Sequence, residues 1–347
     1  MLSIFKNSKG EDVVLNEKEL YRAEALTRKI QNDLGEQINV TALSTILKSV
    51  VDQKFFEVKP SDFMPIVVGE GAWSEILTTY RSFQIGDDFS TGIMSSGGGA
   101  DGRIPQADAG VDSVSINVNS WNKGISWNIV QLQQALKAGN WDLIAAKERS
   151  RKTNWDLGIQ KIAFLGLTGN SAVLGLLNQA GITTDTTSIP SAIYLMSADD
   201  FKIFTQKIIA KFRNNNNRTA WPTKFVIPET DFLGLVGIAS TVFPDKSMLD
   251  VLEKCFKDAT RNKNFKIEPL VYGDQNYNSL GNNVYALYNE NVDTMRMNIP
   301  VDYTNTLANS SDNYTFQNAA YGQFTGLQMY RSLELMYFTN TVDYSKL

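Results

Sequence analysis

Histidine is absent from all 347 residues. Ser-His-Asp and Cys-His nucleophilic catalysis are therefore excluded, as are histidine-bearing zinc sites. An enzyme on this chain would have to work through carboxylates, lysine or tyrosine. A single cysteine, Cys255, rules out an intrachain disulfide and reads as a buried apolar thiol. No run approaches the ~18 apolar residues that a membrane span requires. Met1-Leu-Ser-Ile-Phe-Lys6 lacks the apolar core of a signal peptide, so the expectation is a soluble chain made in a cytoplasm, with no membrane partner. Strong positive charge is missing too: the net charge is −4 and no segment is strongly basic, which argues against a dedicated reader of nucleic acid.

What is present is enough to bury a sizeable core, with 43% hydrophobic and 20% charged residues. The length implies two domains or one elaborated domain. Asn16 with Glu19 forms a capping box ahead of a helical stripe, Leu20, Ala23, Ile30 and Leu34, that stops at Gly35. Thr41 to Val51 reads as a second short helix. Alternating stretches at Met64–Val68, Ile76–Tyr80 and Val111–Asn117 flank a glycine-rich tip, Ser95 to Arg103, and predict a long β-hairpin. The tip lacks the Gly-Lys-Ser/Thr ending and the following helix of a phosphate-binding loop, so no cofactor is expected.

The segment Trp121 to Ile182 organises the rest. Trp121–Trp127 reads as a strand entering a helical turn with Trp127, Val130 and Leu136 on its apolar face. Ala138-Gly-Asn140 breaks that pattern, and a second helix restarts at Trp141-Asp142 and runs to Leu165, where Gly166 stops it. Its ends are apolar, at Trp141, Ile144 and Ala145 and again at Trp155, Ile159, Ile162 and Ala163. Its middle, Lys147 to Lys152, is almost wholly charged, and is expected to meet something outside the subunit core. From Ile182 to about Asn291 helices and strands alternate: helices at Ser197–Phe212, Glu229–Ile238 and Met248–Ala259, strands at Thr223–Ile227, Phe265–Val271 and Asn283–Tyr288. Met295–Pro300 is a short strand. Leu327, Met329, Leu333, Leu335 and Tyr337 alternate over one final strand, with Arg331 in the same register facing a partner or a bulge.

Gly124-Ile-Ser-Trp127, Leu132 with Ala135, the basic helix and Gly175-Leu-Leu-Asn178, in that order, resemble the bacteriophage major capsid proteins of the HK97-type fold, which encapsulin shell proteins share. The resemblance implies an α+β fold in five parts. These are an N-terminal arm (1–62), an extended loop (63–120), a peripheral domain with a long spine helix (121–182), an axial α/β domain (183–291) and closing peripheral strands (292–347). It implies self-assembly through pentamers and hexamers into an icosahedral head around double-stranded DNA held non-specifically. The further partners would be portal proteins and, where the head uses them, scaffold or decoration proteins, and the location the virion, after assembly in the host bacterial cytoplasm. An encapsulin-like compartment is the alternative within the fold. A carboxylate enzyme or carbohydrate-binding protein, using Asp87-Asp88 or Asp199-Asp200, is the alternative outside it.

Some members of that fold join the loop to a neighbour by a lysine–asparagine bond, but no lysine lies between Ser82 and Asn122. That stretch carries Asp87, Asp88, Asp101, Asp108 and Asp112 against Arg103, a net of −4. Gln134 to Gly166 carries a net of +3, with Lys147, Arg149, Arg151 and Lys152 at its centre. The expectation is that one subunit's acidic loop lies across a neighbour's basic helix.

Overall fold

The computed structural model describes residues 3–6, 12–15, 57–85, 108–137, 142–237, 246–310 and 312–342. Residues 1–55 are a unit of their own. In it β1 (Ser3–Lys6) and β2 (Asp12–Leu15) pair antiparallel, Ile4 opposite Val14 and Phe5 opposite Val13. The helices expected at Asn16–Gly35 and Thr41–Val51 lie outside the described residues, as does the Ala138–Asn140 break.

In the second unit, residues 56–347, β3 (Ile66–Val68) precedes the long hairpin of β4 (Ile76–Ile85) and β5 (Asp108–Asn117). The two arms stay in register from Ile76 opposite Asn117 to Ile85 opposite Asp108. Strand alternation sends Leu77, Thr79, Val114 and Ile116 toward the body, where they are half-buried. Ile76, Tyr80 and Val111 face outward and are exposed. The glycine-rich tip lies outside the described residues.

Next, β6 (Asn119–Asn128) runs into α1 (Ile129–Lys137), capped where Asn128 Oδ1 accepts from the Gln131 N–H at 2.7 Å. Of the expected face Trp127 is buried, but Val130 and Leu136 are exposed, and the buried helical residue is Ala135. The long helix, α2 (Leu143–Leu165), starts where Asp142 Oδ1 accepts from the Ala145 N–H at 3.0 Å and ends at Gly166 with φ 72°. A Cβ on Gly166 would lie 2.4 Å from the Val173 carbonyl oxygen, so the turn back under the helix requires glycine twice over.

The remainder comprises β7 (Thr184–Asp185), α3 (Asp200–Asn215), β8 (Lys224–Pro228), α4 (Glu229–Leu235), α5 (Met248–Thr260), β9 (Lys266–Leu270) and β10 (Asn283–Tyr288). Then come β11 (Met295–Ile299), β12 (Val301–Asn305), β13 (Asn309–Ser310), β14 (Thr315–Phe324), β15 (Leu327–Met329) and β16 (Leu335–Asn340). A five-stranded sheet takes the order β7-β16-β10-β8-β9. Its inner strands β16, β10 and β8 are buried on both faces, and the period of two sorts their side chains into two cores. Val226, Ala286, Tyr288, Leu335 and Tyr337 join Trp155, Ile159, Ile162, Ala163 and Phe164 of α2. Phe225, Ile227, Tyr285, Leu287, Met336 and Phe338 join Phe201, Phe204, Ile208 and Phe212 of α3 and Leu252 and Phe256 of α5. Along the same buried stripe of α2, nearer its start, β12, β14 and β6 form another sheet, β6 pairing β14 along its whole length.

The chain end departs from the single alternating strand expected over residues 327–337. Buried Glu334 turns the corner: its Oε2 accepts from Thr294 Oγ1 at 2.9 Å and from Asn289 Nδ2 at 2.8 Å. Before the corner β15 pairs with β11, and after it β16 enters the five-stranded sheet beside β10. The last strand thus lies in the sheet of the α/β segment, not with the rest of residues 292–347, and Leu333 at the corner is exposed.

Candidate functional site

Of the basic run on α2, Arg149 and Lys152 are exposed, while Lys147 is half-buried with its ammonium donating to the Ser126 carbonyl at 2.7 Å. Arg151 corrects the expectation of an outward-facing run: it is 2% exposed. Its Nε donates to Tyr303 Oη at 2.9 Å, and its Nη2 to Asn305 Oδ1 at 3.1 Å. Nη1 donates to Asn318 Oδ1 at 2.8 Å, to the Asn318 carbonyl at 3.2 Å and to the Lys123 carbonyl at 3.4 Å. The Asn318 amide in turn donates from Nδ2 to Glu148 Oε1 at 3.1 Å. One guanidinium therefore fastens the long helix to β6, β12 and β14, and Asn318 relays it to a carboxylate. The spacing carried a signal for this. Arg151 precedes Trp155 by four residues and so continues the buried stripe of Trp155, Ile159 and Ile162.

Asp87, Asp88, Asp101 and Arg103 lie outside the described residues. Asp108 Oδ1 accepts from the Ala109 N–H at 2.8 Å. Asp112 is held by Arg81 across the hairpin, Nη2 at 2.7 Å and Nε at 3.0 Å. The Arg81 guanidinium, then the Ser113 N–H, hold the Asp112 carboxyl below its ordinary range. Arg81 stands one residue before the acidic stretch that begins at Ser82, so part of that acidity is compensated on the hairpin itself.

The hairpin is anchored at its base. Thr79 Oγ1 lies 3.1 Å from Tyr330 Oη, Arg81 Nη1 donates to the Tyr330 carbonyl at 3.3 Å, and Gln328 Nε2 donates to the Val114 carbonyl at 3.0 Å. A cavity of about 620 Å³ opens there, lined by Arg81, Arg296 and Arg331 with Asp112, Asp293 and Tyr330 among others. Its guanidinium groups suit hydrogen bonding to carboxylates, but the cavity brings together no acid–base pair of the kind that proton transfer needs.

Of the candidate catalytic carboxylates, Asp87 and Asp88 lie outside the described residues, and Asp199 stands at the N-cap position of α3 without a side-chain capping bond. Asp200 stands in the first turn of α3, where an acid suits the helix dipole, and its Oδ2 accepts from Ser197 Oγ at 2.6 Å. Asp185 is buried on β7, ion-paired to Lys211 of α3 and hydrogen-bonded by Ser188 and Thr187. Burial works to raise its pKa, but Lys211, Ser188 and Thr187 outweigh it and hold the carboxyl well below the ordinary range. The Cys255 thiol is pushed up by burial, away from the reactive thiolate. Among the described residues no group of three or more His, Cys, Asp and Glu side chains is placed to hold a metal ion. No described helix is long and apolar enough to cross a membrane.

The model of one protein family, described as major capsid protein, matches residues 94–340. Among solved structures, the capsid of Myoviridae phage XM1 superposes with a TM-score of 0.72 at 18% identity, covering 88% of this chain and 99% of that one. A chain from Mycobacterium phage Bobi gives 0.55 at 10% identity, over 86% and 96% of the two chains. One from Mycobacterium phage Che8 gives 0.53 at 11%, over 87% and 98%. The fold is the α+β, HK97-like one of these proteins. No curated protein matches the sequence significantly.

Proposed function

The chain belongs to the major capsid protein family, a structural family of the virion shell, and on that premise we propose that it builds the icosahedral head of a tailed bacteriophage. Pentamers and hexamers form through the α/β segment, residues 183–291 with β16. The hairpin within residues 63–120 and the arm of residues 1–62 lap neighbouring copies. The finished shell encloses double-stranded DNA through non-specific contacts, and portal, scaffold or decoration proteins join it in the host cytoplasm. The role is mechanical and not catalytic.

The observation that carries this reading is the hairpin. A two-stranded sheet of ten-residue arms has little stability alone in water. Here its outer face leaves Ile76, Tyr80 and Val111 largely exposed. Stability for such an element comes from neighbours, and a capsid supplies them as further copies. The lap we infer runs from the acidic loop, Asp87, Asp88, Asp101, Arg103 and Asp108, to Lys147, Arg149 and Lys152 of the next copy, with Arg151 excluded by its burial. Exposed ion pairs contribute only ~0.2–1 kcal/mol each, but the contact recurs at every copy of a closed shell.

Electron microscopy and sedimentation of the expressed protein test the head assignment. Closed shells are expected, and nucleic acid inside particles from infected cells. Monomers alone, with scaffold present and across salt conditions, would refute it, and a shell filled with a protein cargo would replace it with a compartment. For the lap, reversing Arg149 and Lys152 to glutamate should weaken assembly, and reversing Asp101 and Asp108 to lysine in that background should partly restore it. No recovery in the doubly reversed protein means that the loop lies elsewhere.

A further inference from the structure

The sheet formed by β12, β13, β14 and β6 carries a feature that the subunit itself does not use. Between β12 and β13 the chain leaves β14: Thr306 still bonds Ala319, its N–H donating to that carbonyl at 2.8 Å, and pairing resumes at Asn309 opposite Gln317. Leu307 is pushed out of the ladder and is 93% exposed, more than any other exposed large hydrophobic side chain described. Directly beside it is a cavity of about 460 Å³, lined by Gly124, Ser126, Leu307, Gln317 and Ala319 among others.

The register explains the hollow. Gly124 is partnered with Ala319 and Ser126 with Gln317, and partnered residues share a face. Asn318, one residue on, turns the other way to Arg151 and Glu148. The outward face therefore has a glycine beside an alanine where larger side chains would fill it. Its floor is held still from beneath by the Arg151 cluster.

We propose that Leu307 of one copy seats in this hollow on the next copy, forming a ring of knob-and-socket contacts about a symmetry axis of the shell. Three observations select a second copy as the occupant. Knob and socket lie side by side on one surface, so rotation about a nearby axis brings one copy's knob to the next copy's socket and closes the ring. None of the residues lining the hollow carries a charge, so an apolar leucine enters it without desolvating an ion. Finally, the family assembles from copies of one chain, so the proposal rests on the capsid function proposed above.

The test uses mixed particles. In a Cys255→Ser background, one preparation carries Leu307→Cys and another Ser126→Cys. The two are co-assembled, oxidised and run on a denaturing gel without reductant. A band of two chains, absent when either preparation is oxidised alone, is expected, because that bond forms only between copies. Particles from the mixture that yield no such band overturn the proposal while leaving the capsid function intact. If neither the mixture nor the unmodified chain ever forms particles, the capsid function fails, and this proposal with it. Two single variants complete the test. Ala319→Leu fills the socket and Leu307→Asp charges the knob, both on the surface of a subunit whose thermal midpoint should not move. Each should raise the concentration needed for assembly at least ~10-fold, the loss expected from exposing one leucine per contact. Assembly at the unmodified threshold by both variants would also overturn the proposal.

Discussion

Replacing Arg151 by alanine is the sharpest test of how the long helix is held. The guanidinium is 2% exposed and makes five hydrogen bonds, to Tyr303, Asn305, Lys123 and twice to Asn318. Hydrogen bonds to a charged group contribute about 1.5–3 kcal/mol each when counted singly, but those of one side chain are not additive. The greater cost comes from the groups left behind. Buried Asn318 Oδ1 would be stranded in a cavity the size of the lost side chain, with Glu148 still held by the same amide, whereas exposed Asn305 turns to water. Leaving a buried neutral acceptor unpaired costs about 1–3 kcal/mol, the cavity left by the side chain adds to it, and we expect about 2–4 kcal/mol for Arg151→Ala. Arg149→Ala, two residues away and exposed, should stay within about 0.5 kcal/mol. Arg151→Lys should recover less than half of the loss, because one ammonium cannot span Tyr303, Asn305 and Asn318 as the planar fork does. Urea denaturation of the dispersed subunit, followed by far-ultraviolet circular dichroism, reads all three as shifts in midpoint at constant slope. If Arg151→Ala unfolds at the same midpoint as Arg149→Ala, the reasoning from burial and hydrogen bonding is wrong.

Asp185→Asn should cost about 1–3 kcal/mol near neutral pH by stranding the donors around it. The native carboxyl is held below the ordinary value of 3.8, so its contribution is complete above that value and fades as pH falls through the lower native one. The difference between variant and parent should therefore narrow below about pH 4, and a difference constant down to about pH 2 would contradict the assignment. Gly166→Ala adds a Cβ 2.4 Å from a backbone oxygen to the strain of φ 72°, whereas Gly169→Ala at φ 87° meets nothing within 4 Å. The second should cost the left-handed penalty alone, roughly 1–2 kcal/mol, and the first clearly more; equal thermal shifts would show that the turn relaxes freely. Mature particles should give a single monomer band after boiling in detergent, since no lysine lies between Ser82 and Asn122, and a ladder that survives boiling would refute this.

Much of the architecture was legible in local chemistry. Asp142 and Gly166 bound α2 because a capping carboxylate and a left-handed glycine act within a few residues of themselves. The two-residue alternation of Ile76–Tyr80 and Val111–Asn117 announced the hairpin for the same reason. The stripe of Phe201, Phe204, Ile208 and Phe212 likewise announced α3, since periodicity is a property of one element. Arg151 shows where such reading stops. Among five charged residues within Lys147–Lys152, charge predicts exposure, and only the sheet lying across the helix, with Tyr303, Asn305 and Asn318 drawn from more than 150 residues away, makes burial possible. The final strand shows the same limit. Leu327 to Tyr337 alternate as one strand would, yet Glu334 finds Asn289 and Thr294 and turns the chain into a different sheet. Local spacing determined which elements form and where they end. Which face of each is buried, and which sheet each strand joins, was decided by partners distant in sequence, because a buried polar group goes where its hydrogen bonds can be met.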